Sequence, residues 1–146
     1  METDDIKVLR PFGPTIAKVK IPDNQVKELN NYTDEIINNE QKKKDLDWGK
    51  NLVGNVKQEF VIEKDVMEKI GWGKFLATNV REWIRQTNKR EITKFNIMNS
   101  WIVRQFKNEY NPIHFHSGNI SGVGYLKIPK NITKGRKRLK TNGTID

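Results

Sequence analysis

The chain contains no cysteine. That excludes disulfides, thiolate nucleophiles and cysteine-ligated zinc or iron–sulfur centres. Histidine is almost as scarce: two residues, His114 and His116, separated by Phe115. No run approaches the ~18 consecutive apolar residues that a membrane-spanning helix needs. The first ten residues, METDDIKVLR, lack the apolar stretch of a secretory signal. Together these absences lead to the expectation of a soluble protein of the cytoplasm, with no membrane partner. At 146 residues the chain has the length of one ordinary domain, able to bury a core without staples.

Acidic residues are outnumbered, leaving a formal net charge of +9 and a pI near 9.7. Much of the excess falls late, in Lys127, Lys130, Lys134, Arg136, Lys137, Arg138 and Lys140, opposed only by Asp146. Such a run can bind phosphate backbones, so nucleic acid is a candidate partner through Arg136, Lys137 and Arg138. It also reads as a solvated tail.

The hydrophobic pattern changes period along the chain. Thr15 to Ile21 alternates, with Ala17, Val19 and Ile21 on one face and Lys18 and Lys20 on the other, which predicts a strand. Pro22 and Asp23 stop it and offer a helix N-cap. From Gln25 the spacing is helical, with Val26, Leu29, Thr33, Ile36 and Ile37 in one stripe and Lys42 to Lys44 suited to the C-terminal end. Asp45 to Gln58 reads as a loop and Phe60 to Ile62 as a short extended piece. A second helical region runs from Asp65 to about Gln86, interrupted at Gly71-Trp72-Gly73. Glu63, Asp65 and Glu68 fit its N-terminal charges better than an acid–base pair.

After Asn88 the period becomes two. Phe95, Ile97, Asn99, Trp101 and Val103 alternate with their neighbours, predicting a long strand with Trp101 on its apolar face, in the core rather than against a substrate. Ile113 to His116 is a further extended piece after a turn at Asn108 to Pro112. Ser117-Gly118-Asn119 turns again, and Ile120 to Ile128 reads as a strand in which Gly122 or Gly124 admits a close approach or a bulge. Asn142-Gly143 resembles a hairpin turn. Helices over about 23–88 followed by strands over about 94–146 imply one α+β domain, its helices packed on a sheet or jelly roll.

If Ile113 to Phe115 is extended, both imidazoles point to one face while Ile113 and Phe115 point into apolar surroundings. Two imidazoles on one face can supply two ligands of a facial triad, the third being in most designs a carboxylate or another imidazole. Neighbouring polar groups must then fix each ring tautomer; Asn99, Ser100, Gln105, Ser117 and Ser121 are near in sequence. By itself H-x-H also fits two strand histidines facing solvent.

The motif has company: Asn99-Ser100-Trp101, then Tyr110-Asn-Pro-Ile-His-Phe-His, then Ser121-Gly-Val-Gly-Tyr-Leu-Lys-Ile-Pro129. This succession, over roughly residues 95–145, resembles a family of 2-oxoglutarate/Fe(II)-dependent oxygenases met in phage and marine bacterial genomes. The resemblance implies a double-stranded β-helix with Fe(II) and 2-oxoglutarate as cofactors. His114 corresponds to the first iron ligand. His116 stands where many related oxygenases carry Asp or Glu, and it either binds the metal or lies beside it. Tyr110 and Tyr125 are the candidates for contact with the keto acid, although a tyrosine on the rim or in the opposite layer satisfies the pattern equally. Family members also use a distal histidine and an Arg that grips the far carboxylate of 2-oxoglutarate. No histidine follows His116, and Arg136 and Arg138 come too early to match that Arg. The expectation is an N-terminal portion of an oxygenase fold, lacking the third ligand and not competent by itself. The alternatives are a small basic nucleic-acid-binding module and a non-catalytic remnant.

Overall fold

In the computed structural model of the chain, residues 6–11 and 13–129 are described. The Asn142-Gly143 turn and the basic residues from Lys130 to Lys140 lie outside them. The order of elements is β1 (Lys7–Leu9), β2 (Ile16–Lys18), α1 (Asp23–Ile37), α2 (Glu40–Asp45), a single 3-10 turn (Gly49–Asn51), β3 (Glu59–Val61), α3 (Lys64–Ile70), α4 (Trp72–Asn88) and β4 (Trp101–Val103). Strands β1 and β2 form one antiparallel pair and β3 and β4 another, neither of them closed. The fold class is mixed α+β, as the change of period predicts. No described helix is long and apolar enough to cross a membrane.

Helix α1 starts directly after Pro22, whose fixed φ suits the end of an extended run but whose side chain caps nothing. Asp23 is therefore the first helical residue rather than the cap. It favours the positive end of the dipole and pairs with Lys20 at 3.3 Å. The buried stripe is Gln25, Leu29, Tyr32, Thr33 and Ile36. Val26 and Ile37 are half-buried on its margins, so the stripe is centred slightly off the one expected. The helix ends before the lysines. Asn39 starts the separate helix α2 by accepting from the backbone N–H groups of Gln41 and Lys42, and Lys42 to Lys44 fall in that helix's last turn.

The interruption at Gly71 is a left-handed corner (φ +73°). One residue closes α3 and opens α4, a conformation that a Cβ penalises. Gln25 crosses from α1 to lock this corner, its side-chain amide donating to the Ile70 carbonyl at 3.1 Å.

The core comprises Leu29, Tyr32 and Ile36 from α1, Leu46, Phe60 from β3, Ile62 just after it, and Ile102 from β4. Each such side chain contributes roughly 1.5–3 kcal/mol when fully withdrawn from water. Tyr32 adds a polar anchor. Its hydroxyl lies 3.3 Å from both the Val61 carbonyl and a Glu63 carboxylate oxygen and accepts the Glu63 N–H at 3.4 Å. Burial pushes this phenol up to about 12.

Glu59 is an unexpected occupant of the sheet. It is 2 % exposed, and its Oε2 has no hydrogen-bond partner among the described residues. Desolvation raises its pKa, and the Asp47 and Glu109 carboxylates push in the same direction.

The second half of the chain departs from expectation. The long strand predicted from Phe95 is only three residues of ladder, because among the described residues β4 has β3 as its single neighbour and β3 is equally short. One further hydrogen bond extends the pairing at each end, Ile62 N–H to Ser100 O and Arg104 N–H to Gln58 O. The inward parity also changes. Phe95 and Ile97 are half-buried as predicted, but in β4 the buried residue is Ile102, while Trp101 is half-buried and Val103 exposed. Two consecutive exposed residues, Met98 and Asn99, mark the phase shift. Ile120 to Ile128 forms no strand. Part of it lies instead against the core: Leu126 packs on it and its carbonyl accepts from Asn30 at 3.4 Å. The close approach falls at Gly124, where a Cβ would come within 2.9 Å of the Ile21 side chain. Gly122 faces open space.

Candidate metal centre

The site grows from a latch between two distant loops. Asn55 donates its backbone N–H to the Tyr110 carbonyl at 2.8 Å, an isolated bridge that fixes where the chain leaves the turn after β4. Glu109 tightens that turn by accepting from the Phe106 N–H at 2.9 Å and the Lys57 N–H at 3.4 Å. Gly54 leaves room there for the Asn111 side chain, which a Cβ would strike. The next residue is Pro112.

From Pro112 the geometry becomes specific. The Pro112 carbonyl lies 2.7 Å from His114 Nδ1. A carbonyl only accepts, so Nδ1 carries the hydrogen, and in the neutral ring Nε2 then keeps its lone pair. The Nε2 atoms of His114 and His116 are 3.0 Å apart, with ring centroids 4.7 Å apart and planes at 73°. The two rings thus converge, as expected of the pair, although the segment that carries them is not a strand. With that tautomer of His114, the 3.0 Å contact is a hydrogen bond in which His116 Nε2–H donates to the His114 lone pair. Metal–nitrogen bonds of ~2.1 Å at about a right angle would separate two donors by ~3.0 Å, so the observed spacing suits two adjacent positions on one ion.

The surroundings of the pair differ from those expected. Residues 113–116 belong to no strand, and the chain bends at Ile113. Ile113 and Phe115 do not enter an apolar layer: they are 106 % and 93 % exposed. A lone segment without ladder neighbours has no second layer to receive them. None of Asn99, Ser100, Gln105, Ser117 and Ser121 is hydrogen-bonded to either ring. Ser100 Oγ accepts from the Trp72 indole at 3.3 Å, and Gln105 donates to the Glu109 carbonyl at 2.6 Å. The tautomer of His114 is set by a backbone carbonyl, a group no side-chain pattern reveals. Trp101 is the other group missed: its ring lies 5.8 Å from that of His116, tilted by 38°.

Tyr110 and Tyr125 are both half exposed or more, and neither hydroxyl is hydrogen-bonded among the described residues. Tyr110 reaches the site through its backbone; a role for either phenol in holding a keto acid gains nothing from these positions. Ser117 to Asn119 does turn, with Gly118 at φ +104° above the Met98 sulfur. Among the described residues, no three of His, Cys, Asp and Glu are grouped to hold one ion. The donor set is therefore two imidazoles, with Arg136 and Arg138 outside the described residues. Compared with protein-family models, curated proteins and solved structures, the chain matches none.

Proposed function

We propose that the chain carries part of an Fe(II)- and 2-oxoglutarate-dependent oxygenase site of the double-stranded β-helix type, with His114 and His116 as two of its metal ligands. The observation that carries this reading is the 3.0 Å convergence of the two Nε2 atoms, with the His114 ring anchored through Nδ1 to the Pro112 carbonyl. An outer group that holds one ring nitrogen while the other faces the metal is the usual support of a metal-binding histidine. Two imidazoles fit two positions of a face, and they suit Fe(II), Co(II), Ni(II) or Zn(II) alike. When bound there, Fe(II) with the keto acid supplies oxidation of a C–H bond by O2.

The part played by this chain's own residues is narrower. Pro112 fixes the tautomer of His114, a cation would take the place of the hydrogen between the two Nε2 atoms once His116 carries its proton on Nδ1, and the third ligand and the keto-acid Arg come from outside the described residues. His116 in place of a carboxylate leaves the site one negative charge short, which weakens its hold on a dication.

Titration of the purified chain with Co(II), Ni(II) and anaerobic Fe(II) tests the reading. A ligand at about a hundred times its Kd stabilises the folded state by roughly 2.7 kcal/mol, readily seen as a rise in Tm. His114→Ala should abolish the rise. Absence of any histidine-dependent rise with all three ions would sink the metal site. Release of succinate from 2-oxoglutarate by the chain with Fe(II) alone would show instead that the two-histidine face is sufficient. The net charge of +9 favours one other reading, a polyanion-binding module. Its mark is DNA or RNA affinity that falls steeply with salt and ignores His114→Ala.

A further inference from the structure

We infer that Trp101 is the positioning residue of the His114–His116 pair, the group that ties the imidazole face to the folded core. The inference rests on the metal reading above and adds a residue to it. Residues 111–116 form no backbone hydrogen bond with another element among the described residues, the last such bond being Asn55 N–H to Tyr110 O. Ile113 and Phe115, fully exposed, give no apolar anchor. The segment is therefore held at its start, while His116 lies six residues beyond the latch. What meets His116 there is the Trp101 ring, at 5.8 Å between centroids. That falls inside the roughly 4.5–7 Å over which aromatic rings attract in tilted arrangements.

Trp101 is itself well fixed. It lies in β4 opposite Val61, beside the buried Ile102, and the Ser100 carbonyl next to it accepts the Ile62 N–H at 2.9 Å. Its backbone is thus part of the β3–β4 ladder, while its half-buried ring leaves the sheet toward the histidines. The two imidazoles are held from different sides, His114 by a carbonyl four residues from the Asn108 turn and His116 by an indole from the sheet. Remove the indole and only the exposed ring–ring hydrogen bond is left to hold His116, too little to keep it against solvent, so the 3.0 Å spacing of the nitrogens is lost while His114 keeps its bond to Pro112.

Three variants test this: Trp101→Ala, Trp101→Phe and His114→Ala, each checked for the wild-type Tm and circular dichroism. One readout needs no metal. In the wild type and in Trp101→Phe, NMR should show a nuclear Overhauser contact between the two imidazole rings, and Trp101→Ala should lose it. Persistence of that contact in Trp101→Ala overturns the inference whatever the metal data say. The second readout is Co(II) binding by visible absorption. Loss of an outer group costs roughly 10–100-fold in metal affinity, and Trp101→Ala should lose about tenfold while Trp101→Phe stays within about threefold of wild type. Equal Co(II) affinity in Trp101→Ala and wild type, with His114→Ala not binding, rejects Trp101 and leaves the metal reading intact. No binding by the wild type removes the metal reading, and the ring–ring contact then decides whether Trp101 orders the pair. Should Trp101→Ala fold poorly, a Trp101→Phe affinity more than tenfold below wild type at unchanged Tm would equally count against an aromatic support.

Discussion

Replacing Glu59 by Gln should make the protein more stable at neutral pH. Glu59 is 2 % exposed, its Oε2 has no partner among the described residues, and Asp47 and Glu109 are its charged neighbours. A buried polar group left without a partner costs roughly 1–3 kcal/mol, and more when charged. Gln keeps the volume, removes the charge and adds a donor for the neighbouring carboxylates. A gain of about 1–2 kcal/mol at pH 7 is the expected result, or about 4 °C in Tm per kcal/mol for a chain of this size. The pH dependence fixes the sign. Because the folded protein holds the Glu59 proton more tightly than the unfolded chain, wild-type stability from this group is complete below the ordinary glutamate pKa, ~4.3, and declines as pH rises through the higher folded value. The difference between Glu59→Gln and wild type should therefore vanish near pH 4 and grow toward pH 7. Urea unfolding at several pH values measures it. A Glu59→Gln protein less stable than wild type at pH 7 by 1 kcal/mol or so would refute the reasoning and mean that the carboxylate is ionised and gripped by a cation; a difference independent of pH would refute it too, by showing that burial leaves the proton affinity of Glu59 unchanged.

Two further predictions concern the helical half. Gly71→Ala, at φ +73° between α3 and α4, should destabilise by about 1–2 kcal/mol in urea unfolding, whereas Gly73→Ala, with its Cβ at an ordinary 3.6 Å from Ile97, should not. Tyr32→Phe should cost about 1 kcal/mol at pH 7 by leaving the Glu63 N–H unpaired. The wild type alone should lose stability steeply between pH 10 and 12, as the unfolded phenol ionises before the folded one, and Tyr32→Phe should lack that component.

The helical half was legible because its pattern is redundant. Leu29, Thr33 and Ile36 repeat a 3.6-residue period over fifteen residues, and Gly71 marks the break between α3 and α4 by chemistry that few residues share. The β half was not. Alternation from Phe95 to Val103 records which side chains avoid water, but a strand also needs a neighbour for its N–H and C=O groups. Among the described residues only Glu59 to Val61 supplies one. The pairing of the two imidazoles followed from spacing alone and is seen in the fold. Their supports did not: the Pro112 carbonyl has no sequence signature, and the indole of Trp101 was assigned to the core because its parity was counted across Met98 and Asn99, where the phase shifts. The buried Glu59 was hidden for a similar reason, since a charged residue at the edge of an apolar run reads as solvent-facing.

The spacing of the two ring nitrogens has a consequence for ion choice. Bonds of ~2 Å to a two-coordinate, linear ion such as Cu(I) require donors ~4 Å apart, well beyond the 3.0 Å found between His114 and His116. With His114 moored at Pro112, that width would have to come from His116 leaving its 3.0 Å contact. If the pair holds a metal as proposed, its spacing would favour octahedral dications, whose adjacent donors stand at right angles, over monovalent copper or silver.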